Sequence, residues 1–120
     1  MPQSIFERNG GFAKVSRVVM SFYDRVVDSP VMGPYFAGTD MKRLVDHQTK
    51  FIAFLMGGPA SFTDEHLERV HRHLDIDRRA FDEMVSLLTE TLEDFDFDSD
   101  DIALVEKELR RRAPLIITRT

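Results

Sequence analysis

Apolar side chains recur along this chain at steps of three and four residues, and no stretch alternates strictly. The pattern predicts helices throughout and strands nowhere. After Gly10-Gly11, the positions Phe12, Val15, Val18, Val19, Phe22, Val26 and Val27 form one stripe of a long helix, which Asp28-Ser29-Pro30 ends. Its β-branched content is high for a helix, but the spacing outweighs the propensity. Met32 to Phe36 is too short for more than a single turn, with Pro34 placed to start it. Gly38-Thr39-Asp40 is a turn, with Thr39 or Asp40 as N-cap of a second long helix striped by Met41, Leu44, Gln48, Phe51, Ile52 and Leu55. Gly57-Gly58-Pro59 stops that helix.

Thr63 caps a shorter helix, with Asp64 and Glu65 in its first turn and Leu67, Val70, His71 and Leu74 on one face. Asp75 or Asp77 caps the next, whose stripe is Phe81, Met84, Val85, Leu88 and Leu92. Asp94 to Asp98 reads as an acidic link anchored by Phe95 and Phe97. Ser99 then caps a final helix bearing Ile102, Val105 and Leu109, with Arg110-Arg111-Arg112 as a solvated basic run near its end. No repeat or linker interrupts residues 1–120, so the expectation is a single all-α domain.

Composition narrows the function. A formal charge of −5 over 120 residues lends no electrostatic support to nucleic-acid or membrane binding. The absence of Cys excludes a disulfide framework, thiolate metal sites and a Cys nucleophile, and it suits a reducing compartment. The amino terminus lacks the pattern of a signal peptide, and the longest apolar run, Phe51 to Met56, is too short to span a bilayer. A cytoplasmic protein, monomeric or weakly dimeric, is expected. Ten Phe and six Met against four His remain as the surplus to explain.

The histidines divide by face. His66 and His73 share a polar face and read as surface residues. His71 lies on the apolar stripe, where a satisfied core histidine and a metal ligand are both open readings. His47 borders the apolar stripe of another helix, beside Gln48. Zinc wants three or four ligands, and two inward histidines without Cys do not supply them. Neither a nucleophile elbow nor a glycine-rich phosphate loop is present. A haem site asks for an inward His, an apolar slot and a polar group opposite; the Phe- and Met-rich faces offer either such a slot or plain core packing.

Taken in order, Gly10-Gly11, Phe22-Tyr23, Tyr35-Phe36-Ala37-Gly38-Thr39-Asp40-Met41, Gly57-Gly58-Pro59 and Val70-His71 followed by Leu74-Asp75-Ile76 resemble a truncated haemoglobin over residues 4 to 117. The resemblance is to the first, N-type, group, since the other groups usually place a Trp in the haem pocket and this chain has none. It implies a two-over-two α-helical sandwich around haem b. By position it implies His71 as proximal iron ligand, Phe36 stacked on the macrocycle, Tyr23 and Gln48 as distal donors, and Thr39 and Arg43 near the propionates. Leu44, Phe51, Ile52, Leu67, Phe81, Met84, Leu88 and Leu92 would line the pocket.

The chain also departs from its relatives. Leu44 stands where many carry Gln, Phe62 replaces a frequent Tyr, Leu67 a frequent Met, and Ile52 stands where some carry a Phe proposed to gate a gas tunnel. His47 matches the position from which some cyanobacterial relatives bind iron distally in a six-coordinate state; propionate contact or solvent is the alternative. The resemblance implies reversible binding of O2, NO and CO, with nitric oxide dioxygenation to nitrate as the expected chemistry. No nucleotide-binding motif is present, so a separate reductase is implied. The competing functional class is a gas- or redox-sensing module acting through a partner protein.

Overall fold

The computed structural model describes residues 4–59, 63–71 and 76–117. Phe62, His73, Leu74 and Asp75, named above, lie outside them, as does the side chain of Val70. Every regular element among the described residues is helical: α1 (Ile5–Arg8), α2 (Gly11–Asp28), a 3-10 turn (Gly33–Phe36), α3 (Met41–Leu55), α4 (Asp64–His71), α5 (Arg78–Asp94), α6 (Ser99–Arg111) and α7 (Ala113–Ile116). None is long and apolar enough to cross a membrane.

Caps account for most of the boundaries. Asp40 accepts from Arg43 N at 3.3 Å, Thr63 Oγ1 from His66 N at 3.1 Å, and Asp77 from Ala80 N at 2.8 Å, so three of the four predicted starts lie at the expected side chains. The fourth moves by one residue. Asp98, not Ser99, is the N-cap of α6, and it makes no capping bond through its side chain. Asp100 and Asp101 in the first turn supply the favourable negative charge instead.

Helices α2 and α3 pack on each other, α5 packs on α6, and α2 joins the two pairs by crossing α5. This is the two-over-two arrangement. Its centre is made by Val15, Val18, Val19 and Val26 of α2, which are fully buried against Phe81, Val85, Leu88 and Leu92 of α5. The β-branched stripe that is unfavourable for a helix is thus suited to a close helix crossing. Two members of the predicted stripe fall outside it. Phe12 is 41% and Val27 45% exposed. Phe12 stacks edge-on against Phe6 of α1, centroids 4.8 Å apart, and Val27 lies about 100° round the helix from the buried Val26.

Arg112 also departs from expectation. It is buried, donating to the Glu108 carbonyl at 2.8 Å and carboxylate at 2.9 Å, with its guanidinium 5.3 Å from the Phe54 ring. Two bonds to Glu108 one turn back and the contact with Phe54 near the end of α3 together hold this member of a basic run inward. The acidic link behaves as expected: Phe97 is buried, Phe95 half-buried, and the Lys14 ammonium lies 5.7 and 5.9 Å from the two rings.

The segment between α2 and α3 is tied down by one serine. Ser29 Oγ accepts from Val31 N and Met32 N, both at 3.2 Å, and donates to Glu83 of α5 at 3.0 Å. Gly33 N donates to Ser29 O at 2.8 Å, and a Cβ on Gly33 would stand 2.8 Å from Val27 O. The 3-10 turn carrying Tyr35 and Phe36 is therefore held against both α2 and α5.

Candidate functional site

The candidate residues arise on five elements: α2, the 3-10 turn, α3, α4 and α5. On α4, the His71 ring meets its own helix one turn back: Nδ1 is 2.8 Å from Leu67 O. A carbonyl oxygen can only accept, so Nδ1 carries a proton, and in a neutral ring the lone pair is then on Nε2. Leu67, which provides the carbonyl, is itself buried, and His71 is half-buried. Spacing alone left His71 between a core residue and a ligand; the hydrogen bond commits Nδ1 to the backbone of its own helix.

On α2, Tyr23 is buried between two aromatic neighbours. Its ring meets Phe22 edge-on at 4.9 Å and Phe36 of the 3-10 turn at 5.7 Å. Burial pushes the phenol well above the ordinary tyrosine range, so it stays protonated and is a donor at any physiological pH. Among the described residues its hydroxyl has no hydrogen-bond partner, and since none of their buried polar side-chain atoms is orphaned, it reaches accessible surface. Tyr23 also lines an open groove of about 420 Å³ between α2 and α3, with Met20, Val27, Met41 and Val45 as apolar walls. That groove has no signature in the apolar stripes, because Met20 and Val45 belong to neither predicted core face.

On α3, Gln48 and Leu44 are half-buried, Phe51 and Ile52 are buried, and Arg43 and His47 are exposed; Thr39 is exposed just before the helix. On α5, Phe81 and Leu88 are buried and Met84 is half-buried. Phe36, Leu44 and Met84 thus combine apolar chemistry with surface left accessible. The structure brings Tyr23 against Phe36 and His71 against Leu67. It leaves His47, Arg43 and Thr39 at the solvent boundary. No group of three His, Cys, Asp or Glu side chains suited to chelating a metal occurs among the described residues. The candidate donors are one histidine on α4 and one phenol on α2, with partly accessible apolar side chains on the 3-10 turn, α3 and α5.

Sequence reasoning missed Ser29 and Glu83, which hold the Phe36 turn in place. The Ser-Pro pair was legible as a helix stop, but a bond spanning 54 residues has no local signature.

Comparison with known proteins places these features in context. The family model described as bacterial-like globin matches residues 4–114. The group 1 truncated haemoglobin of Mycolicibacterium paratuberculosis is 31% identical over 117 residues, covering 98% of this chain and 86% of the relative. Among solved structures, the 2/2 haemoglobin of Synechococcus, determined in the cyanomet state with covalently attached haem, superimposes with a TM-score of 0.89 at 25% identity, over 98% of this chain and 100% of the other. The truncated haemoglobin of Tetrahymena pyriformis in its Fe(III) form has the same fold, with a TM-score of 0.87 at 24% identity over 96% and 98% of the two chains.

Proposed function

Because the chain belongs to the bacterial-like globin family, as a truncated haemoglobin of the first group, we propose that it binds haem b with His71 Nε2 as the iron ligand and receives diatomic gases beside Tyr23 and Gln48. The observation that carries this reading is the 2.8 Å contact of His71 Nδ1 with Leu67 O, which suits the tautomer a proximal ligand needs and holds the ring by its other nitrogen. The other residues fit the same group. Half-buried Phe36, Leu44 and Met84 supply apolar surface for a flat macrocycle, and exposed Thr39 and Arg43 are suited to its propionates.

When bound, the haem supplies an iron that takes dioxygen, nitric oxide or carbon monoxide reversibly. The protein's own contribution on the gas side is the Tyr23 hydroxyl, kept protonated by burial, with the Gln48 amide as second donor from α3. Donors aimed at a ligand that gains negative charge strengthen its retention, and they do so selectively for dioxygen over carbon monoxide. Phe51, Ile52 and Leu88 keep water from the pocket.

The chemistry proposed for this arrangement is nitric oxide dioxygenation, NO + O2 + e⁻ → NO3⁻, with the electron delivered by a separate reductase. His47, one residue before Gln48 and exposed, is the proposed source of a sixth iron ligand at rest; its imidazole would have to turn from solvent into the pocket.

Visible spectra of the purified protein as ferric, ferrous and carbonyl forms test the reading. A Soret band that shifts through the three forms, and that His71→Gly loses unless imidazole is added, is the expected result. A colourless protein that takes up no haem overturns it. Aerated ferrous protein mixed with nitric oxide should yield stoichiometric nitrate, and prolonged persistence of the starting spectrum would exclude the dioxygenation. An unchanged, high-spin ferric spectrum in both wild type and His47→Ala would exclude ligation by His47.

A further inference from the structure

The molecule is acidic overall, with a formal charge of −5, yet its charges are segregated. Residues 90–101 hold seven carboxylates and no Lys or Arg, whereas α3 holds Lys42, Arg43 and Lys50 against a single Asp46. The cations also differ in how they are answered. Arg8 pairs with Asp101, Arg25 with Asp94, Arg110 with Asp82 and Glu106, and both Arg111 and Arg112 with Glu108. Lys42, Arg43 and Lys50 are all exposed and have no ion-pair partner among the described residues; Arg17, Arg78, Arg79 and Lys107 share that property but are spread over α2, the start of α5 and α6, whereas α3 gathers three on one helix.

These three cations fall, with His47 and the exposed Asp46, within an arc of about 140° on α3, a face of net positive charge. The rest of the helix circumference carries Leu44, Gln48, Phe51 and Ile52, the residues assigned to the pocket. One helix therefore walls the proposed site with one face and presents the unpaired Lys42 and Lys50 with the other, Arg43 standing at the boundary toward the proposed propionates. On a molecule of net negative charge such a face repels little and orients much: it selects which side an anionic partner meets first.

We propose that the exposed face of α3 is the docking surface for the electron donor, and that this donor is an acidic one-electron carrier protein of the flavodoxin class. The inference rests on the function proposed above, which requires a reductase on a separate chain. In each encounter the donor loses one electron and ferric iron gains it; no bond forms or breaks and no atom is transferred. Duplex nucleic acid is a poorer match, since three cations on an acidic chain neutralise too few phosphates for stable binding.

The test uses the haem-loaded ferric protein under carbon monoxide, mixed anaerobically with photoreduced flavodoxin, and follows the rate at which the carbonyl spectrum forms. Affinity for flavodoxin is measured in parallel by calorimetry on the ferrous carbonyl form, where no electron moves. The wild-type rate should fall as ionic strength rises, and the double variant Lys42→Glu/Lys50→Glu should lower both rate and affinity by about tenfold or more at low salt. Reduction by dithionite and the ferric spectrum should be unchanged in that variant. Lys107→Glu, which alters an exposed cation on α6, should change neither rate nor affinity by more than about twofold.

A double variant that reacts and binds like wild type, or a salt-independent wild-type rate, overturns the inference. So does equal loss in Lys107→Glu, which would reduce the effect to net charge. Binding of the α3 face to phosphatidylglycerol vesicles with no affinity for flavodoxin would overturn it in favour of a lipid surface. If the reversals destabilise the helix, Lys42→Gln/Lys50→Gln should show the same direction at about half the logarithmic size. Failure of wild type to take up haem would instead defeat the underlying function, a result distinguishable at the first spectrum.

Discussion

Tyr23 joins two properties that rarely coincide on one side chain: its ring is packed on both flanks, and its hydroxyl has no partner among the described residues. Tyr23→Phe keeps the packing and removes only the donor, so the fold should survive and the gas should leave faster. Loss of a hydrogen bond worth about 1–3 kcal/mol predicts dioxygen dissociation faster by about one to two orders of magnitude, read by stopped-flow displacement with carbon monoxide.

Because burial raises the phenol above its ordinary range, the wild-type rate should stay flat with rising pH up to about 11, past the midpoint near 10 at which an exposed tyrosine ionises. A rise centred below that pH would show an ordinary phenol. Of the two inward histidines in the sequence, His71 has its tautomer set by Leu67 O, while His47 is on the solvent side of α3. Stripe position alone could not separate a residue on the apolar face from one at its border, since both depend on which neighbours close over the helix.

Among the helices, those of eight residues or more were legible, because caps and period-3.6 stripes are local properties of the chain. The four-residue α1 and α7 were not, since a single turn is too short to display a period. Yet α1 does work at a distance. Phe6 N donates to Met56 O at 3.1 Å, which docks α1 onto the end of α3, and the Phe6 ring lies against Gly58.

A Cβ at Gly58 would sit 2.8 Å from two atoms of that ring and 2.9 Å from Ala53 O, so the glycine pair that reads as a helix stop is also a requirement of close packing. Gly58→Ala should cost about 1–3 kcal/mol in urea unfolding. By contrast, Gly38→Ala meets nothing within 4 Å and bears only the strain of its left-handed backbone, φ +78°, about 1 kcal/mol. Equal losses for the two would remove the packing role assigned to Phe6.

At the scale of the whole molecule, apolar side chains left half-buried around the candidate site are surface that the cofactor would cover. Ligand that binds only the folded state adds its binding free energy to stability. Removal of haem by acid-ketone extraction should therefore lower the melting temperature by at least about 10 °C, with partial loss of helical ellipticity, and haem added back should restore both. Equal melting of the two forms would show that the cavity is closed without the cofactor.

The sequence by itself determined the all-helical class, the long helices with most of their caps, and an ordered set of motifs that marks a truncated globin. All of these follow from interactions within a few residues or from motif order. Only the tertiary structure decided that Ser29 is bound to Glu83, that Arg112 is buried over Phe54, that Phe12 and Val27 face outward, and that Tyr23 is held against Phe36. Each of these depends on which helix lies opposite, and side-chain periodicity specifies a face without specifying its partner.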